Sequence, residues 1–300
     1  MPKRPAVSDV SALALWATLL CTALLCACAP VTRPVSANPS SSALASSALA
    51  PATQTPPAGR RRRLVLAAFH LRDERGAGPL EALKVLDAPP DAAPGGAGPD
   101  AGQNVAAQNG AGELALRALA YRQLGRNAEA VDALDRLLLT RRDLSAGALA
   151  DAFVERGQSL AALGHQARAA EDFASALVLA PGHVPALMAR ADQLFALGQP
   201  GEAEAGYSQV IAVDPASALA HTNRGVARDE QGRFAEAIAD FTRALALDPG
   251  SPAALVNRGV SRAQAGDMAG MCADYAAACG LGACHRLDSA RAVGYCQGAQ

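Results

Sequence analysis

Three prolines, Pro181, Pro215 and Pro249, stand 34 residues apart, and this spacing constrains the fold more than any other feature of the chain. Proline lacks a backbone N–H, collides with the turn before it and biases its predecessor away from the helical region, so each one ends a helix. A stop recurring at a fixed interval of roughly 20 to 50 residues marks stacked supersecondary units. Composition fits helices. Half of the 300 residues are hydrophobic but only 4% are aromatic, alanine is dominant, and β-branched runs are few. Alanine, leucine and arginine are good helix formers, which favours an all-α chain.

With each proline at unit position 32, the other positions fall into line. Position 8 is Gly157, Ala191 and Gly225; position 15 is Gly164, Gly198 and Gly232. Position 20 is Ala169, Ala203 and Ala237, position 24 is Phe173, Tyr207 and Phe241, and position 27 is Ala176, Val210 and Ala244. Small residues at 8, 20 and 27 let two helices approach, and the aromatic at 24 fills the space between them. Glycine at 15 suits the left-handed step that often ends a helix. This pattern resembles the tetratricopeptide repeat (TPR) family, and the resemblance implies an all-α solenoid of helix–turn–helix units.

Three units are complete: 150–183, 184–217 and 218–251. Residues 252–285 keep the frame with Gly259, Gly266, Tyr275 and Ala278, but Met271 occupies position 20, which would loosen the packing there. Residues 111–144 fit with Ala118, Tyr121, Gly125 and Ala130, but Leu134 and Leu137 replace the usual types, no proline closes the unit, and residues 145–149 break the frame. Terminal repeats diverge because each must cover an exposed end. The expected solenoid therefore spans 111–285 in about five units, followed by a C-terminal cap over 286–300.

Position 7 carries arginine in all five units: Arg117, Arg156, Arg190, Arg224 and Arg258. Position 23 carries aspartate in three: Asp172, Asp240 and Asp274. Two readings follow. A repeated Arg–Asp pair between the helices of each unit is the ordinary one; an arginine ladder that reads an acidic partner is the sharper one. Asn223 and Asn257 at position 6 invite comparison with TPR domains that clamp a terminal carboxylate. Those clamps also use lysines, and the only lysines here are Lys3 and Lys84, outside the repeats.

Seven cysteines fall into two groups: Cys21, Cys26 and Cys28 near the start, and Cys272, Cys279, Cys284 and Cys296 near the end. Four cysteines in an exported chain argue for two disulfides, and three pairings are open. Cys272 with Cys279 would span two helical turns, roughly 10 Å, which is beyond disulfide reach. If 267–279 and 285–294 are helices, the chain folds back at Gly280–Ala283, placing Cys279 beside Cys284 and Cys272 near Cys296. That arrangement would staple a capping helix over the last repeat. A zinc site would want a C-x-x-C spacing that is absent, so no metal is expected.

The N-terminus reads as a targeting segment over 1–27. Lys3 and Arg4 precede an apolar run from about Ala12 to Ala27, the layout of a secretory signal, and the run falls short of the roughly 20 residues of a comfortable membrane span. Its end, Leu25-Cys26-Ala27-Cys28, resembles the lipobox of bacterial lipoproteins, which implies lipidation of Cys28; an uncleaved anchor or a soluble export signal are the alternatives. Several acyl chains give stable anchoring where one does not. Ala29 is similar to the residue found after the lipidated cysteine in lipoproteins sorted to the outer membrane, facing the periplasm. Residues 28–59, rich in Ser, Pro and Ala, cannot bury enough apolar surface to order themselves and read as a tether. Over 60–110 come a basic run (Arg60–Arg63), a short helical segment between Leu64 and Asp87, and a Pro/Gly-rich linker from about 88.

A formal net charge of −1 gives no basis for nucleic-acid binding. No phosphate loop, nucleophile elbow, paired histidines or paired carboxylates stand out, and the five histidines are dispersed. Neither a catalytic role, nor a cofactor, nor a small-molecule substrate is therefore expected. His221, at packing position 4, reads as a core residue. A TPR solenoid implies a concave groove lined by the first helix of each unit, fit for a peptide or a helix of a partner protein. The residues expected there include Asp151, Met188, Asp192, Phe195, Thr222, Asn223, Val226 and Asp229. The expected function is a membrane-tethered adaptor in the bacterial envelope. A peptidoglycan- or glycan-binding module and a regulator of an envelope enzyme are the alternatives.

Overall fold

The computed structural model describes residues 67–68, 71, 78–88, 110–139 and 144–298. The targeting segment, Cys28, the 28–59 tether, the basic run and nearly all of the second linker lie outside the described residues. The described residues form twelve α-helices and no strand. In chain order they are α1 (Gly78–Asp87), α2 (Ala111–Gln123), α3 (Asn127–Leu139), α4 (Ala146–Ala162), α5 (Gln166–Leu179) and α6 (Val184–Ala196). Then come α7 (Pro200–Val213), α8 (Ala218–Glu230), α9 (Phe234–Leu247), α10 (Pro252–Gln264), α11 (Met268–Gly280) and α12 (His285–Ala292). The chain divides into two compact units, one ending at Pro215 and one beginning at Ala216.

The first unit stacks three hairpins, α2/α3, α4/α5 and α6/α7, with each second helix packed on the first helix of the next hairpin. The second unit stacks α8/α9 and α10/α11 in the same way and ends in α12. The sequence punctuation explains where the helices stop. Each glycine between paired helices (Gly125, Gly164, Gly198, Gly232, Gly266) has φ between 71° and 85°, the left-handed conformation in which a side chain would be strained. The residues before the three prolines are extended: Ala180 at φ −144°, Asp214 at −128° and Asp248 at −134°. Helices α4, α8 and α10 start on Ser145, Ser217 and Ser251, whose side chains accept from the backbone N–H three residues on.

Packing within the hairpins follows from residue size. A Cβ added to Gly157, Gly225 or Gly259 would fall within 2.7 Å of the ring of Phe173, Phe241 or Tyr275. The glycines therefore admit the aromatics, which are buried between the paired helices. In the divergent first hairpin Leu134 and Leu137 are fully buried and take the places of an aromatic and a small residue.

Both ends of the described repeats carry a cap. Ala67, Ala68 and Leu71, with Ala82, Leu83 and Leu86 of α1, share one buried apolar cluster with Leu114, Leu116 and Leu119 of α2. The segment expected as a short helix in a linker region is thus packed onto the first hairpin. At the other end the structure pairs Cys272 with Cys296 and Cys279 with Cys284, the nested arrangement. α12 buries Leu287 and Ala290 against Val260, Met271 and Tyr275. Met271 is thereby enclosed, its extra volume covered by the capping helix. α12 stops two residues short of the expected 294, where Gly294 takes φ 93°.

Candidate partner-binding faces

Three of the arginines at position 7 are fixed by a carboxylate on the second helix of their own hairpin. Arg156 donates through Nε and Nη2 to Asp172 at 2.8 and 2.6 Å. Arg224 does the same to Asp240 at 2.9 and 2.7 Å, and Arg258 to Asp274 at 3.0 and 2.7 Å. The forked geometry matches two N–H donors to two carboxylate oxygens. Asp172, Asp240 and Asp274 are all buried, and the bonds that Arg156 donates to Asp172 raise its pKa above the ordinary value. Two of these aspartates take a second arginine one turn along the helix, Arg228 on Asp240 at 2.8 Å and Arg262 on Asp274 at 2.9 Å.

Position-7 arginines also reach backwards. Arg156 Nη1 donates to Asp135 of α3 at 2.6 Å, and Arg258 Nη1 to Thr242 of α9 at 3.3 Å. Arg117 is held by Glu113 at 3.1 Å and by Asp87 of α1 at 2.5 Å. The Arg–Asp pair between the helices of one hairpin therefore holds for three of the five; Ala133 stands at position 23 of the first hairpin, and Arg117 is held by its own helix and by α1 instead. Arg190 also lacks the aspartate, because Gly206 stands at position 23 of its hairpin.

The structure covers most of the residues expected along the first-helix faces. In the first unit Asp151 is buried, with its Oδ1 3.0 Å from His183 Nε2. Met188 is buried, while Asp192 and Phe195, one turn apart on α6, are half-buried. Asp192 accepts from the Tyr207 hydroxyl at 2.8 Å; burial, reinforced by this carboxylate, pushes the Tyr207 pKa well up. In the second unit Thr222, Asn223 and Val226 are buried, and the Thr222 hydroxyl donates back to the Ala218 carbonyl at 2.9 Å. Asp229 is half-buried and accepts from the Ser261 hydroxyl. Burial raises the Asp229 pKa despite that bond. Surface thus remains on Asp192 and Phe195 in one unit and on Asp229 in the other.

Asn223 and Asn257, the clamp-like pair, are buried. His221 is buried too, its Nδ1 3.6 Å from Asp240 Oδ1, in keeping with a core position. Among the described residues no group of three histidine, cysteine or carboxylate side chains is placed to hold a metal ion, and no helix is long and apolar enough to cross a membrane.

The sequence pattern of the family described as tetratricopeptide repeat matches residues 188–252 and 227–283. No curated protein matches the chain. Among solved structures, it is similar to MamA from Desulfovibrio magneticus RS-1, with a TM-score of 0.49 and 23% identity over 57% of this chain and 94% of that one. It is also similar to a thermophilic TPR protein of Thermus thermophilus, with a TM-score of 0.48 and 21% identity over 59% of this chain and 95% of that one.

Proposed function

We propose that this chain, a tetratricopeptide repeat protein, is an adaptor held on the bacterial cell envelope by a lipid on Cys28, where its repeats bind a segment of a partner protein. TPR hairpins are a protein–protein interaction scaffold, and that part follows from the family. The envelope part is supported first by the C-terminal cysteines. All four are paired, Cys272 with Cys296 and Cys279 with Cys284, and such pairs persist in oxidising compartments outside the cytosol. The apolar run ending at Cys28 supplies the matching signal at the other end of the sequence. The tether of residues 28–59 would let the repeats search a volume near the membrane.

On the first unit the surface offered is a half-buried carboxylate one turn from a half-buried aromatic, Asp192 with Phe195. It suits a mixed polar and apolar peptide better than an acidic tail. A glycan-binding reading would rest on the half-buried ring of Phe195.

Intact mass and membrane fractionation of the native protein beside Cys28→Ser test the tether. Acyl mass on Cys28 with release of the variant from membranes is the expected result. An unmodified, soluble product in both would sink the lipid anchor and leave the scaffold standing. Retention on purified cell wall that depends on Phe195 would move the partner from protein to glycan.

A further inference from the structure

Two changes in the α6/α7 hairpin belong together. Position 8 gains a methyl group, Ala191 in place of glycine, and position 23 loses its carboxylate, Gly206 in place of aspartate. A Cβ on Gly206 would stand 2.8 Å from the Ala191 Cβ. This pair of helices has therefore closed on the alanine methyl and has no room for an aspartate at 206. Arg190 stays. Around its counterpart Arg156 stand two carboxylates, Asp172 and Asp135; at the same two positions around Arg190 the chain has Gly206 and Ala174. One hydrogen bond is left, from Arg190 Nη2 to Gln209 Oε1 at 3.0 Å, and no ion pair among the described residues.

The geometry points to Arg190 as the docking point for an aspartate or glutamate side chain of the partner protein, which would take the outward place that the half-exposed Asp135 takes on Arg156. The inference rests on the scaffold reading and names the chemistry of what it binds. A guanidinium presents five N–H donors in a fixed fork that fits a carboxylate, and here one donor is engaged. Toward the C-terminal ends of α5 and α7 the flanks are apolar, whereas one turn the other way on α5 stands the exposed Glu171. On α5, Ala174 is exposed and Val178, one turn beyond it, is 83% exposed. On α7, Val213, one turn beyond Gln209, is 50% exposed. A carboxylate with apolar residues to one side of it is what this face complements. The ladder reading of the arginines, displaced at four positions by internal pairs, survives at this one.

The test is selection of random phage-displayed peptides on the full chain, followed by titration of the enriched sequences as C-terminally amidated peptides. The expected peptides share an Asp or Glu beside apolar residues and bind Arg190→Gln at least about tenfold more weakly, as loss of a charge-assisted contact entails. Arg190→Glu should regain affinity for the same peptide with its acidic residue changed to lysine. Because Arg190 has no internal carboxylate, Arg190→Gln should melt with the parent protein, which separates binding from folding. Peptides that bind parent and Arg190→Gln alike would overturn the assignment while leaving the scaffold reading intact. Dependence on a free C-terminus would also overturn it, by making the carboxylate terminal. Enrichment of no peptide on either protein would remove the scaffold reading, and this one with it.

Discussion

The N-terminal and C-terminal caps solve one problem by different means. Each must cover an apolar hairpin face that has no further repeat to cover it. The N-terminal cap does so with apolar surface: Ala67, Ala68, Leu71, Ala82, Leu83 and Leu86 are buried against the first hairpin, and Arg117 adds bonds to Asp87 and to the Leu86 carbonyl. The C-terminal cap has little to bury. α12 spans eight residues and encloses Leu287 and Ala290, too short a helix to persist unaided in water. Two disulfides hold it instead. Where apolar burial is scarce, covalent closure of the unfolded chain substitutes for it.

This contrast predicts where each cap fails. Leu86 is 2% exposed, and Leu86→Ala should cost about 2–5 kcal/mol as a cavity opens between α1 and α2. Hydrogen exchange should show α1 opening, with α12 unaffected. If α1 stays protected, the first hairpin does not depend on this cap.

The covalent cap should respond to redox where the apolar one does not. The Cys272–Cys296 bond closes a separation of 24 residues and the Cys279–Cys284 bond one of 5. Loop-closure entropy then predicts losses of about 3 kcal/mol for Cys272→Ser and about 2 kcal/mol for Cys279→Ser. Reductant should release α12 in exchange experiments and leave α1 protected. Equal loss at both caps would mean that the disulfides do not act locally.

The paired arginines offer a smaller contrast within the first unit. Arg156→Gln strands buried Asp172 and should cost about 1.5–3 kcal/mol, whereas Arg190→Gln should stay within about 0.5 kcal/mol of the parent protein. Thermal melts of the two variants side by side decide it. Similar losses would show that Arg190 has a structural partner after all.

The two caps were also unequally legible. Cys272, Cys279, Cys284 and Cys296 declared the C-terminal one, because disulfide reach and a turn at Gly280–Ala283 narrow the pairings. The hairpins were legible for a similar reason: proline, glycine and aromatic residues each have one mechanical job at a fixed position. The N-terminal cap uses only alanine and leucine, which suit any helix, so its helix could be read but not its packing. Ala82 and Leu86, four apart like the small and aromatic positions of a second repeat helix, were the available signal. The first-helix faces were harder still. Asn223 and Thr222 are polar, and their enclosure depends on how hairpins stack, which a repeat position does not encode. The Ala191–Gly206 exchange needed distances; in sequence it is two unrelated departures.

The smallest expected effect tests whether the N-terminal cap relies on its ion pair at all. Asp87 accepts from Arg117 Nη1, but its side chain is 64% exposed, where solvent screens the attraction and the median value of such pairs is about 0–1 kcal/mol. Arg117 also keeps Glu113 and the Leu86 carbonyl when Asp87 is neutralised. Asp87→Asn should therefore shift the melting of the first unit by about 0.5 kcal/mol or less, with little further change in salt. A loss approaching that of Leu86→Ala would reverse the comparison: the N-terminal cap would then be an electrostatic latch, and its apolar cluster a consequence of docking rather than the cause.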